Sequence, residues 1–165
     1  MVQVLGAFAR LCCVALVSRT VSARRDRRGS AQLAVPGEEL LMTVGPLVSI
    51  VDDDESVRES LPDLLRVLGF AARAFSSAEE FLASGYVDQT RCLLLDVAMP
   101  GMSGPDLQRE LKLRRKEIPV VFITAQTDEA IRSRVLEQGA VECLLKPFSD
   151  IALLDAINTA LRKSD

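Results

Sequence analysis

Leu47-Val48-Ser49-Ile50-Val51-Asp52-Asp53-Asp54-Glu55 gives the first indication of how the chain folds. Its apolar, β-branched part up to Val51 predicts a strand buried on both faces, as in a parallel sheet. Three aspartates stand where that strand leaves the core. Crowded carboxylates repel one another, and a hard cation with oxygen ligands, usually Mg²⁺, would offset the repulsion. Alternatively, the acids only cap the next helix, because carboxylates favour a helix N-terminus. This stretch alone supports both interpretations.

Strand-like and helix-like patterns alternate from Leu47 onward, which is typical of an α/β fold with a parallel sheet. The predicted strands are 47–51, 71–75, 91–95, 119–123 and 141–145. The predicted helices are 55–68, a short one capped by Ser76 or Ser77, 104–115, 128–138, and a last one capped by Ser149 or Asp150. The chain is thus expected to form one domain of five strands and five helices.

Polar side chains stand at the ends of four of these strands: Asp52, Asp53, Asp96, Thr124 and Lys146. In open parallel sheets, ligands bind at the carboxyl ends of the strands. Taken singly, Asp96 suits a loop or cap, Thr124 a capping hydroxyl, and Lys146 a solvated surface charge. Together they have one meaning, because a divalent cation needs two or three carboxylates and a phosphoryl group needs that cation, an ammonium and a hydroxyl.

Four motifs carry a resemblance to a known family. They are Val51-Asp52-Asp53-Asp54, Asp96-Val-Ala-Met-Pro-Gly-Met-Ser-Gly, Thr124-Ala125 and Lys146-Pro147-Phe148. The chain resembles, over residues 47–162, the receiver domain of bacterial two-component response regulators, closest to the branch often fused to helix-turn-helix output domains. The resemblance implies a flavodoxin-like, doubly wound sheet in order 2-1-3-4-5, with two helices on one face and three on the other.

The resemblance also implies a role for each strand-end residue. Asp96 would be the phosphoacceptor, charged by a histidine kinase or a histidine phosphotransfer protein. Asp52, Asp53, Asp96 and the backbone carbonyl of Ala98 would hold Mg²⁺. Thr124 would be the switch hydroxyl that moves toward the phosphoryl group, and Lys146 would pair with that group. The Lys146–Pro147 bond is expected to be cis. Asp96 must work ionised, so we expect Lys146 and Mg²⁺ to keep its pKa low.

Two positions bear on how the switch works. Family members usually carry Tyr or Phe three residues before the lysine, where this chain has Cys143. No aromatic ring can swing inward there, so we expect a weaker or differently wired switch. By resemblance, Ala98 flanks the path of the hydrolytic water. Because Ala98 is small, it would leave that path open, so we expect a phosphoryl lifetime of minutes.

Charge and composition narrow the function classes. Residues 47–165 carry 14 basic and 20 acidic residues, a net charge of −6. An acidic domain repels nucleic acid, so we expect no direct DNA binding. The chain has no His, which excludes histidine chemistry, and its four Cys have no C-x-x-C spacing. These features indicate a cytoplasmic, reducing compartment.

Residues 1–46 are predicted to be a disordered, basic extension, separate from the receiver domain at 47–165. Six Arg stand there against Asp26, Glu38 and Glu39, a net charge of +3. The apolar run 2–17 is too short to span a bilayer, and an Arg-rich stretch follows it, which is the wrong order for a signal peptide. We hypothesise that the native protein starts at Met42, and we expect no membrane association.

The chain ends soon after the last predicted helix, so we expect a stand-alone receiver. It would signal through a downstream protein or a homodimer formed by its last helices, or serve as a phosphate sink or phosphorelay intermediate. We expect it to be no enzyme beyond its own phosphorylation and dephosphorylation. An aspartyl-phosphate phosphatase is the alternative, but it needs a second acid where Ala98 stands. A flavin module would need a phosphate cradle where Asp52 to Asp54 would repel the phosphate.

Overall fold

The computed structural model describes residues 45–163 as an alternation of strands and helices. Predictions about residues 1–44, including the basic extension and a start at Met42, lie outside the described residues. The strands are β1 (Leu47–Val51), β2 (Ala71–Phe75), β3 (Cys92–Asp96), β4 (Val120–Thr124) and β5 (Glu142–Leu145). The helices are α1 (Glu55–Val67), α2 (Ala78–Ala83), α3 (Gly104–Leu113), α4 (Glu129–Glu137) and α5 (Asp150–Lys163).

The five strands form one parallel sheet in the order β2-β1-β3-β4-β5. The order in which strands are added to the sheet reverses at β1, because β2 lies on one side of it and β3 on the other. Every residue from Cys92 to Asp96 in β3 and from Val120 to Thr124 in β4 is buried, as expected for central strands covered on both faces. The predicted fold class and strand order are confirmed.

Two apolar clusters cover the two faces of the sheet. On one face, Leu61 and Leu65 of α1 and Leu153 and Ile157 of α5 pack against the sheet. On the other, α2, α3 and α4 contribute one large cluster. Its members from those helices are Ala78, Phe81, Leu107, Leu111 and Val135. The predicted division of two helices against three is therefore confirmed.

The element boundaries differ from the prediction by a few residues. Strand β3 reaches Asp96, because the backbone of Asp96 still pairs with Ile123 of β4. Helix α3 stops at Leu113, and Arg115 follows with a φ of 57°. The sequence pattern did not indicate the short 3₁₀ turn Val87–Gln89. None of the helices within residues 45–163 combines the length and apolar character that crossing a bilayer requires.

Candidate functional site

The end of β1 places its three aspartates in three different environments. Asp52 is fully buried, and its Oδ1 accepts the backbone N–H of Asp54 at 2.9 Å. Asp53 is exposed. Asp54 caps α1, since its Oδ1 accepts the backbone N–H of Ser56 at 2.9 Å. The capping interpretation is therefore right for Asp54, but capping does not explain why Asp52 is buried.

Asp96 stands at the end of β3, next to β1 in the sheet. It is 7% exposed, and its Oδ2 accepts the backbone N–H of Ala98 at 3.2 Å. The loop that follows is closed by a bond from the Gly104 N–H to the Val97 carbonyl at 3.1 Å. The side chain of Asp96 is thus held by its own loop at the edge of the sheet.

The carboxylates of Asp52, Asp53 and Asp96 form one cluster, with an oxygen of each lying within 4.8 Å of the others. The Lys146 ammonium lies 2.8 Å from Asp52 Oδ2 and 3.5 Å from Asp96 Oδ1. Three carboxylates against one ammonium leave a net charge of −2. A hard divalent cation with oxygen ligands fits both the donor set and the missing charge.

The protein's own surroundings disfavour the ionised form of the Asp96 carboxyl group. Burial raises the pKa of the Asp96 carboxyl above its ordinary value, Lys146 lowers it, and the charges of Asp52 and Asp53 raise it again. Lys146 alone therefore does not offset desolvation and repulsion at Asp96, and the low pKa expected with Lys146 and Mg²⁺ together stays a prediction. Burial lowers the pKa of Lys146, but its bonds to Asp52 and Asp96 outweigh this and raise it overall.

Lys146 bonds more closely to Asp52 than to Asp96, which the sequence did not indicate. The Lys146 backbone N–H donates to the Thr124 carbonyl at 2.8 Å, so the end of β4 holds the backbone of Lys146 in place. The Lys146–Pro147 peptide bond is cis, as predicted.

Thr124 ends β4 and is 4% exposed. It directly follows Ile123, which pairs with Asp96 across the sheet. Its hydroxyl oxygen accepts the backbone N–H of Gln126 at 3.0 Å, and it lines a cavity shared with Cys143. The structure therefore puts Thr124 on the strand beside Asp96, at the junction of the acidic cluster with that cavity.

Two residues near the site were missed by sequence reasoning. Arg58 of α1 donates from Nη1 to the Asp52 carbonyl at 3.0 Å, tying the helix to the end of β1. Gly104 opens α3 so close to the Asp96 backbone that a Cβ there would lie 2.2 Å from the Asp96 carbonyl oxygen. A basic residue one turn into the first helix was a visible signal for Arg58. Nothing in the sequence indicated the close approach at Gly104.

Comparisons with known proteins agree with this geometry. The family description "Response regulator receiver domain" matches residues 48–158. Nodulation protein W from Bradyrhizobium diazoefficiens is 45% identical over 117 residues, which cover 71% of this chain and 52% of that protein. Response regulator protein TodT from Pseudomonas putida is 41% identical over 116 residues, covering 70% of this chain and 51% of that protein. The chain spans about half the length of these curated relatives.

Solved structures show the same likeness. A low-resolution structure of the response regulator StyR is 48% identical, with a TM-score of 0.67, covering 73% of this chain and 61% of that one. The crystal structure of FixJ-N is 39% identical, with a TM-score of 0.65, covering 70% of this chain and 93% of that one. The chain therefore belongs to the response regulator receiver domain family of two-component systems.

Proposed function

We propose that this receiver domain takes a phosphoryl group on Asp96 from a histidine kinase or a histidine phosphotransfer protein. The observation that carries the proposal is the cluster of three carboxylates with oxygens within 4.8 Å of one another, two of which, Asp52 and Asp96, contact the Lys146 ammonium. Asp96 is the acceptor among them because it stands at the phosphoacceptor position of the receiver family. It also contacts Lys146 less closely than the fully buried Asp52 does, at 3.5 Å against 2.8 Å.

The transfer step is a displacement at phosphorus. A carboxylate oxygen of Asp96 attacks, a P–O bond forms, the P–N bond to the donor histidine breaks, and the histidine nitrogen leaves with its electron pair. The ammonium of Lys146 lies between Asp52 and Asp96. From there it can turn from Asp96 toward a phosphoryl oxygen. Hydrolysis by water later returns the carboxylate.

Mg²⁺ would be held by Asp52, Asp53 and Asp96, with the Ala98 carbonyl as a fourth protein ligand. Bound there, the ion supplies positive charge that stabilises the phosphoryl oxygens during transfer. The protein side of the site supplies the rest. It positions Asp96, excludes most water from Asp52, and places the Thr124 hydroxyl at the adjoining strand end.

We further propose that Thr124 couples phosphorylation to output. Its hydroxyl oxygen accepts the Gln126 N–H in this structure, and a phosphoryl oxygen on Asp96 would offer the hydroxyl hydrogen a charged acceptor. Drawing Thr124 inward moves the loop before α4 and biases a two-state equilibrium. The surface that reads this shift is formed by α4, β5 and α5. A downstream protein or a homodimer through the last helices would bind there.

The proposed phosphorylation chemistry lies within the receiver domain. The stand-alone role, the cytoplasmic location, and the phosphate-sink and relay roles remain predictions. The curated relatives named above are about twice as long as the matched region. Ala98 stands two residues past Asp96, where a phosphatase would need a second acid, so no observation favours that enzyme class.

Incubation with acetyl phosphate and Mg²⁺, followed by intact-mass measurement, tests the proposed function. We expect the wild type to gain one phosphoryl group, and Asp96→Asn to gain none. Asp63→Asn is the matched control, because it removes a carboxylate that is 79% exposed on α1, where it pairs with Arg66. A phosphoryl group retained on the Asp96→Asn protein would exclude Asp96 as the acceptor.

A further inference from the structure

A cavity of about 580 Å³ lies where α4, β5 and α5 meet. Its volume is in the range of about 300–1,000 Å³ that is typical of ligand sites. The inner wall is apolar, formed by Cys143, Phe148, Ala152 and Ala156. Cys143 is 6% exposed, so its thiol closes the wall and carries no charge to the cavity. Thr124 also lines this space, which connects it to the phosphorylation site.

The rim of the cavity is acidic. Asp128, Glu129, Glu142 and Asp155 line it together with one guanidinium, that of Arg132. Four carboxylates against one cation give a net charge of −3. The cation is already engaged, because Arg132 Nη2 lies 3.5 Å from Glu142 Oε1. We call the rim and its apolar wall the acidic groove.

Of the four rim carboxylates, two are already hydrogen-bonded to backbone N–H groups and two are available to a partner. Asp128 caps α4 by accepting the Ala130 N–H at 2.9 Å, and Glu142 accepts the Cys143 N–H at 2.9 Å. The side chains of Glu129 and Asp155, by contrast, have no hydrogen-bond or ion-pair partner within residues 45–163. Both are exposed, on opposite helices of the groove.

Apolar surface continues beyond the cavity. Leu145, which lines it, is 45% exposed, and Ile151 at the start of α5 is 74% exposed. A small molecule confined to the cavity would leave Ile151 in water. A polypeptide segment would cover both residues while it filled the groove.

We infer that the acidic groove docks a basic, amphipathic segment of a partner protein. Apolar side chains of the segment would cover Leu145 and Ile151. A Lys or Arg would lay its aliphatic stem along the apolar wall and its charge between Glu129 and Asp155. The inference rests on the proposed function, since it names the chemistry of the partner that reads the surface beside Thr124. Two copies joined groove to groove would bring two acidic rims together, which favours a basic partner protein over the homodimer as the occupant of the groove.

A fluorescent peptide of leucine and lysine, about 14 residues long with its leucines on one helical face, is the probe. Binding is followed by anisotropy with the full chain, without acetyl phosphate. The test variant is the double change Glu129→Gln and Asp155→Asn. The matched control is Glu59→Gln with Glu117→Gln, which removes the same charge from exposed positions outside the groove. A peptide with glutamate in place of lysine controls for apolar binding.

We expect the test variant to bind the basic peptide about fivefold more weakly than the wild type, and the control variant to differ by less than about twofold. The acidic peptide should not bind. Equal weakening by both variants would show that only net charge matters, and equal binding of both peptides would show that charge does not select the partner. A dimer of the chain that excludes the peptide would assign the groove to a second copy. Each of these results overturns the inference.

The proposed function and this inference fail separately. Uptake of a phosphoryl group by Asp96 without peptide selectivity would overturn the docking inference alone. Selective peptide binding by a chain that takes no phosphoryl group would leave the groove assigned and the proposed function refuted.

Discussion

Replacing Gly104 with Ala tests how tightly the loop after β3 holds the proposed acceptor. A Cβ at this position would lie 2.2 Å from the Asp96 carbonyl oxygen and 2.9 Å from Cε1 of Phe122. Real Cβ atoms almost never come within 3.0 Å of such atoms, so the backbones at positions 96 and 104 must separate by at least the difference of 0.8 Å. Overpacking of this kind destabilises a fold by about 1–3 kcal/mol. A shift of about 1 Å at a reacting group can lower its rate about 100-fold.

We therefore expect Gly104→Ala to lower the melting temperature by several degrees and to slow phosphorylation by acetyl phosphate more than about tenfold. Thermal unfolding and the rate of mass gain measure the two effects. Gly85→Ala is the control, because a Cβ there would meet nothing within 4 Å. If Gly104→Ala melts and reacts like the Gly85→Ala protein, the close approach is not what positions Asp96.

Three further changes probe the site. Lys146→Met should destabilise the protein without Mg²⁺ by about 2 kcal/mol, because it removes the ion-pair partner of the fully buried Asp52. The lysine is partly exposed, so the loss is smaller than for a fully buried pair. Urea unfolding measures it, and an unchanged midpoint would count against the pairing. Mg²⁺ should raise the melting temperature of the wild type but not of Asp52→Asn; equal shifts would place the ion elsewhere. Cys143→Phe puts a ring into the 580 Å³ cavity beside Thr124 and should change partner affinity of the phosphorylated form; titration of both forms would show no difference if the cavity plays no part.

Much of the fold was predictable because burial leaves a clear pattern. The apolar runs ending at Val51 and at Leu95 indicated buried strands, and residues 48–51 and 92–95 are buried. Acids at the two strand ends then had to meet, since neighbouring parallel strands end at the same edge of the sheet. The sheet order came from family resemblance, because several orders satisfy the same alternation of strands and helices.

Details that depend on three-dimensional distance were not predictable. The sequence could not tell that Lys146 bonds to Asp52 at 2.8 Å and only approaches Asp96 at 3.5 Å. The raised pKa of Asp96 depends on burial, which no motif reports. The cavity lined by Cys143 was not predicted either.

Chemical mapping of the phosphoryl group is the most direct measurement of the central claim, that Asp96 is the acceptor at a carboxylate site. Borohydride reduces an aspartyl phosphate to homoserine, so treatment after acetyl phosphate and Mg²⁺ marks the modified position for peptide mass analysis. We expect homoserine at position 96 alone. Homoserine at position 52 or 53 would contradict this assignment. So would a phosphoryl group that stays on the protein after borohydride, because it would not be on a carboxylate.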